Sequence, residues 1–143
     1  MQEMLISLIK SRGWGLRVYG PADWARVTAE NGSPDAAGLC DSRINTILMP
    51  KDYDPEVLAH EVGHMVDFER GCPSQILPMH VVWAGIKYLT WACPEKKEYV
   101  LSFSGRSEYR QELFAEMYCM WIQGYRKAMP VEWLEIFEGL GIG

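Results

Sequence analysis

Asp54-Pro55-Glu56-Val57-Leu58-Ala59-His60-Glu61-Val62-Gly63-His64-Met65-Val66-Asp67-Phe68-Glu69-Arg70-Gly71 is the stretch from which the rest of the chain is read. Asp54 is a good N-cap, Pro55 suits the first helical position, and Glu56 favours the positive end of a helix dipole. Val57, Leu58, Met65 and Phe68 recur at helical spacing. Gly71 stands where a helix-ending glycine is expected, with Arg70 in the last turn and Pro73 just beyond. The stretch therefore predicts a helix from Asp54 to Arg70. Residues four apart share a face of a helix, so His60 and His64 can reach one metal ion. Glu61 is turned about 100° from His60, which puts it beside the metal as a general base for water. His-Glu-x-x-His is the spacing that holds zinc in metalloproteases. Gly63 costs up to about 1 kcal/mol relative to Ala inside a helix, which is consistent with close backbone packing there.

A catalytic zinc takes three protein ligands and keeps one position open. A third His six residues after the second is ruled out, because that position is Arg70. His80 lies in an apolar stretch after two prolines, where a lone His is more often a core or cleft side chain than a ligand. Glu112 and Glu116 are stronger candidates. They are four apart, so they point to one side of a helix, and their neighbours Leu113, Phe114, Ala115, Met117 and Tyr118 are mostly apolar. Carboxylates buried in such a setting need a partner, and the upstream motif needs an acidic ligand. The competing reading pairs them at the surface with Arg110 or another cation. At least one of the two is expected at the metal.

Around these motifs the pattern predicts α+β architecture. A short amphipathic helix covers Met1 to Arg12, with Gly13 and Gly15 bracketing Trp14. A strand follows at Leu16 to Tyr19 and a helix from Ala22 to Glu30. Two more strands, Leu39 to Cys40 and Ile44 to Met49, flank a polar turn at Asp41-Ser42-Arg43. After Gly71, Val81 to Trp91 reads as helical, Pro94 breaks it, and Tyr99 to Phe103 reads as extended. Ser104-Gly105-Arg106 is a loop, and Ser107 caps a helix from Glu108 to Lys127. A last helix runs from Pro130 to Leu140, with Gly139, Gly141 and Gly143 fraying its end. The expected fold is a small mixed sheet of three or four strands, packed on the motif helix and on the helix bearing Glu112. Trp83, Trp91, Trp121 and Trp133 are expected in the core, the default for large aromatics in apolar stretches, or in part along the substrate cleft.

The chain has 143 residues, 48% of them hydrophobic, which suits one domain (1–143) with a substantial core. Its net charge of −5, without a block of like charge, argues against a nucleic-acid-binding surface and against binding to anionic membranes. No apolar run approaches the length of a membrane span. No basic, apolar leader is seen at the N-terminus, so a cytoplasmic location is expected, or a secreted one if a leader has been removed. Cys40, Cys72, Cys93 and Cys119 form no Cys-x-x-Cys pair and read as four reduced, mostly buried thiols. A disulfide or two in an exported protein is the other reading.

His60-Glu61-Val62-Gly63-His64, with Asp67 three residues on and Glu112-Leu113-Phe114-Ala115-Glu116 downstream, resembles the catalytic domain of anthrax toxin lethal factor and its relatives, which include the proline-proline endopeptidases of clostridia. Ala37-Gly38-Leu39 through Ile44-Asn45-Thr46-Ile47 looks like that family's strand pair before the active-site helix. The likeness thus covers about Tyr19 to Trp121. It implies a gluzincin-type zincin fold in which His60, His64 and Glu112 hold zinc. It also makes Glu61 the general base, with Asp67 and Glu116 orienting the ligating imidazoles. The strand containing Ile44, Thr46 and Ile47 would pair with an extended substrate, as edge strands do. The family's tyrosine seven residues before the glutamate ligand, an oxyanion donor, is replaced by Gly105. Tyr109, Tyr99 and Tyr118 are substitutes, and Tyr109, one turn before Glu112, is nearest in sequence.

The sequence therefore predicts a monomeric zinc metalloendopeptidase that hydrolyses a protein or peptide substrate through a metal-activated water. A zinc domain that binds a partner without cleaving it is the alternative, motivated by Gly105. So is a regulatory peptidase specific for one intracellular partner.

Overall fold

The computed structural model describes residues 1–102 and 108–140. Its contacts divide the chain into two compact units, Met1–Met65 and Val66–Gly143. The first contains α1 (Gln2–Ser11), β1 (Gly15–Tyr19), α2 (Pro21–Glu30), β2 (Leu39–Asp41), β3 (Thr46–Pro50) and most of α3 (Pro55–Glu69). The second opens with the last turn of α3 and continues through a 3-10 turn at Pro73–Ile76 to α4 (Met79–Ala92). A second 3-10 turn, Pro94–Lys96, leads into α5 (Lys97–Leu101), then α6 (Tyr109–Ile122) and α7 (Val131–Gly139). The chain is thus a mixture of helix and small sheet.

The sheet has three strands in the order β1-β3-β2. β3 pairs parallel with β1, Gly15 to Tyr19 facing Thr46 to Pro50, and antiparallel with β2, Leu39 facing Leu48 and Asp41 facing Thr46. Thr46 to Met49 are all buried, as expected of a central strand covered on both faces. Ile44 is not in this strand: it sits in the preceding turn and is 51% exposed. Two local features take it out of the ladder. The Asp41 carboxylate accepts the Arg43 N–H at 3.0 Å, and Asn45 adopts the left-handed conformation with φ 48°. Leu5, Ile9, Trp14, Ile47, Met49, Leu58 and Val62 supply the buried apolar side chains of this unit.

α3 starts as its sequence dictates. Asp54 caps it, its carboxylate accepting the Glu56 N–H at 2.9 Å and its carbonyl the Val57 N–H. The helix ends at Glu69. Gly71, with φ 80°, permits the paired bonds Gly71 N–H to the Phe68 carbonyl and Cys72 N–H to the Asp67 carbonyl, which close the last turn. The same device at Gly124, with φ 90°, ends α6 at Ile122 rather than near Lys127, Tyr125 N–H returning to the Met120 carbonyl. Tyr99 is helical, not extended: it lies in α5, anchored by the fully buried Val100. The loop expected at Ser104-Gly105-Arg106, the Ser107 cap, Phe103, Gly141 and Gly143 lie outside the described residues.

The second unit packs around an aromatic cluster. Phe137 stands within 5.5–6.0 Å, centroid to centroid, of Phe114, Tyr118, Trp121 and Trp133. Trp133 donates its indole N–H to the Val81 carbonyl at 2.9 Å and lies flush against Gly85 of α4. Trp121 and Trp133 are buried, but Trp83 and Trp91 are 57% and 67% exposed. The buried face of α4 is Val81, Val82, Gly85, Ile86 and Leu89, and the two tryptophans sit off that stripe. Trp14, in the first unit, is buried as well. All four cysteines are free, Cys93 and Cys119 buried, Cys40 and Cys72 half-buried. Among the described residues no helix is long and apolar enough to cross a membrane.

Candidate metal centre

One turn of α3 brings the two imidazoles together. His60 Nε2 and His64 Nε2 lie 3.1 Å apart, with the rings nearly perpendicular at 81°. Two ligands each about 2.0–2.1 Å from a tetrahedral zinc would stand about 3.3 Å apart, so the pair is spaced as two nitrogens facing one ion. A proton shared between the rings would satisfy the same distance, and a third donor separates the two cases. Among the described residues, one group could hold a metal ion: His60, His64 and Glu112, all half-buried, whose ligand atoms lie within 4.8 Å of one another. Two imidazole nitrogens and one carboxylate oxygen suit zinc and leave a coordination position open for water or substrate. His80 is exposed and outside this group.

Glu112 sits near the start of α6, and its carboxylate Oε2 accepts a hydrogen bond from the Tyr99 hydroxyl at 3.3 Å. Tyr109, favoured in sequence for its nearness to Glu112, turns its hydroxyl toward Met79 Sδ at 3.8 Å, and the Arg110 guanidinium lies over its ring. The phenol placed on the glutamate is therefore that of Tyr99. Arg110 does not fulfil the surface-pair reading: its guanidinium donates to the Leu77 carbonyl and contacts Met79 Sδ. Glu116 is buried one turn further along α6, and the Lys96 ammonium reaches its Oε2 at 3.4 Å. Asp67 is buried near the end of α3. Ser74 donates to both its oxygens, the backbone N–H to Oδ1 at 3.0 Å and the hydroxyl to Oδ2 at 2.6 Å. Ser74 and Lys96 were not singled out from the sequence. For Ser74 a cue existed, since a Ser just after a helix-stopping Gly and Pro is a common local cap. For Lys96 none did, because its partner lies on another helix.

Glu61 is 7% exposed. Gly38, just before β2, packs against it: a Cβ there would stand 3.1 Å from Glu61 Cγ, 3.2 Å from Val57 Cγ1 and 2.8 Å from Met49 Sδ. Cys40 lies on the same side. Burial first, then the carboxylates of Glu61 and Asp41, push its thiol far up, which keeps it protonated and neutral beside Glu61.

The strand expected to bind substrate is differently placed. Thr46 and Ile47 belong to β3, whose backbone is paired with β1 on one side and β2 on the other at both residues. A central strand has no free ladder edge, so it cannot accept an extended peptide as an edge strand does. Ile44 lies in the turn outside the strand. The unpaired edges of this sheet belong to β1 and β2.

No known family model, curated protein or solved structure matches this chain.

Proposed function

We propose that this chain is a zinc-dependent metallopeptidase of the lethal factor-like, zincin type, hydrolysing peptide bonds of a protein substrate. The observation that carries the reading is the convergence of His60, His64 and Glu112, with the two Nε2 atoms 3.1 Å apart. Those three side chains are the zinc ligands. Zinc held there would supply Lewis acidity, to polarise a peptide carbonyl and bring the pKa of water toward about 7. Glu61, following His60 on the same helical turn and largely shielded from solvent, takes the proton from the attacking water on its carboxylate. It then delivers that proton to the departing amine nitrogen. Asp67 and Glu116 are buried acids near the ligands in sequence. Their bonds to Ser74 and Lys96 fix their side chains, and they serve to orient the imidazoles.

The test is the metal content of purified protein beside Glu112→Ala and Glu116→Ala, followed by peptide-library cleavage with wild type and Glu61→Gln. About one zinc per chain is expected in wild type, lost in Glu112→Ala and largely kept in Glu116→Ala. Glu61→Gln should keep zinc and lose about 10²–10⁴-fold in turnover. Full turnover in Glu61→Gln would sink the mechanism. Zinc without any cleavage product at high enzyme concentration would replace the peptidase with a partner-binding zinc domain.

A further inference from the structure

An open groove of about 410 Å³ lies in the second unit, between the 3-10 turn that precedes α4 and the first turns of α7. Pro73, Ile76, Pro78, Val81 and Ile136 form its apolar lining, and Glu132 and Glu135 stand beside them. Its walls are held in place. Ser74 donates to both Asp67 oxygens, the Leu77 carbonyl accepts from Arg110, and the Trp133 indole ties α7 to the Val81 carbonyl of α4. Ile76 is nevertheless 83% exposed, so a turn fixed at both ends presents an isoleucine to solvent. That side chain adds little to the core, and its placement costs nothing further when a partner covers it.

The charges say what kind of partner fits. Glu132 and Glu135 are three residues apart on α7, so they share a side of the helix, and like charges at that spacing repel. The helix dipole favours Glu132 in the first turn, but Glu135 lies further in and gains little from it. Among the described residues neither makes an ion pair. We propose that this groove docks a basic, apolar segment of a protein partner: an aliphatic side chain lies on Ile76 and Ile136, and lysine or arginine side chains next to it meet Glu132 and Glu135. Such a segment covers the exposed isoleucine and relieves the repulsion on α7 in one contact. The groove belongs to the second unit alone, and the inference is independent of the metal group.

The experiment uses the whole chain and two short peptides, acetyl-Gly-Lys-Leu-Lys-Gly-amide and its counterpart with glutamate in place of both lysines. Binding is followed through the methyl resonances of Ile76 and Ile136 by NMR. The lysine peptide should shift both methyls saturably, with half-saturation at about 1 mM or below, and the glutamate peptide should shift neither. Glu132→Gln combined with Glu135→Gln should weaken the lysine peptide roughly 5-fold, and about 0.5 M salt should weaken it on wild type. Ile76→Ser, a change at an exposed position, should also weaken it roughly 5-fold, read through Ile136. No saturable shift, equal binding of the two peptides, or wild-type affinity in either variant would overturn the proposal. So would shifts of these methyls on dilution of the protein alone, which would put a second copy of the chain on the groove.

Discussion

Helices α3 and α6 each carry part of the candidate metal group, and they encode it differently. On α3 the chemistry is local. His60 and His64 are four residues apart, so any helix over that stretch puts both rings on one face within reach of each other, and Asp54 and Gly71 fix where the helix starts and stops. On α6 the residues from Leu113 to Trp121 are buried without interruption, and no polar face marks which carboxylate matters. What distinguishes Glu112 from Glu116 is the company each keeps. The Tyr99 phenol meets one and the Lys96 ammonium the other, both brought in by the segment after Pro94. A pair of side chains from one helix needs only that helix. A third from another element needs tertiary structure to select it.

The contrast is open to attack, first through the packing that α6 depends on. Gly85 on α4 leaves no room for a methyl group: its Cβ would lie 2.9–3.0 Å from the indole of Trp133, a fixed ring in the centre of the aromatic cluster. Gly85→Ala gains helix propensity worth about 1 kcal/mol but overpacks the core, and the Trp133 bond to the Val81 carbonyl is strained as the ring retreats. A net loss of about 1–3 kcal/mol is expected, seen as a fall of several degrees in thermal unfolding. An unchanged or raised melting temperature would mean that the cluster yields easily and that α6 depends little on its surroundings.

A smaller effect is expected in the first unit. Gly38→Ala places a methyl group against Glu61 Cγ and Met49 Sδ. The thioether can swing aside, whereas Cγ sits close to the backbone of α3. Stability should fall by about 1 kcal/mol. Zinc binding should survive, because His60 and His64 are untouched, while peptide cleavage falls as the Glu61 carboxylate is displaced. Comparing metal content with turnover in this variant asks whether α3 is self-sufficient. If both stay at wild-type levels, the helix alone sets the position of the base. If turnover drops while zinc remains, a loop distant in sequence sets it.

How much was legible follows the same division. The caps of α3, the proximity of His60 and His64 and the three strands were readable because each is written in neighbouring residues. Ile44 was misplaced because its β-branched side chain suits a strand, and only the turn made by Asp41 and Asn45 removes it. The edge-strand role given to Ile44, Thr46 and Ile47 failed for another reason: strand order is not a local property, and β3 turns out to be central. Trp83 and Trp91 read as core residues because they are large aromatics in an apolar stretch, although their positions along α4 fall outside the spacing of Val81, Val82, Ile86 and Leu89. That signal was present. The choice of Tyr99 over Tyr109 was not, since sequence nearness to Glu112 favoured the tyrosine that faces Met79 instead.

The smallest expected effect lies in the turn that displaced Ile44. Arg43 donates to Asp41 from Nε at 3.0 Å and from a terminal nitrogen at 2.9 Å, and these bonds, led by the side-chain hydrogen bond, hold the Asp41 carboxyl below its usual range. A carboxylate whose folded pKa is depressed adds stability above its unfolded pKa, near 3.9, and loses it as pH falls through the lower folded value. Arg43→Ala removes the guanidinium but keeps the backbone N–H that Asp41 also accepts. The variant should therefore be slightly less stable than wild type at neutral pH, with the gap closing on acidification below pH about 4 and shrinking in high salt, because the arginine is exposed. Urea midpoints at neutral and acidic pH measure it. A gap that persists unchanged in acid would assign the effect to the packing of the arginine side chain in the turn rather than to its charge on Asp41.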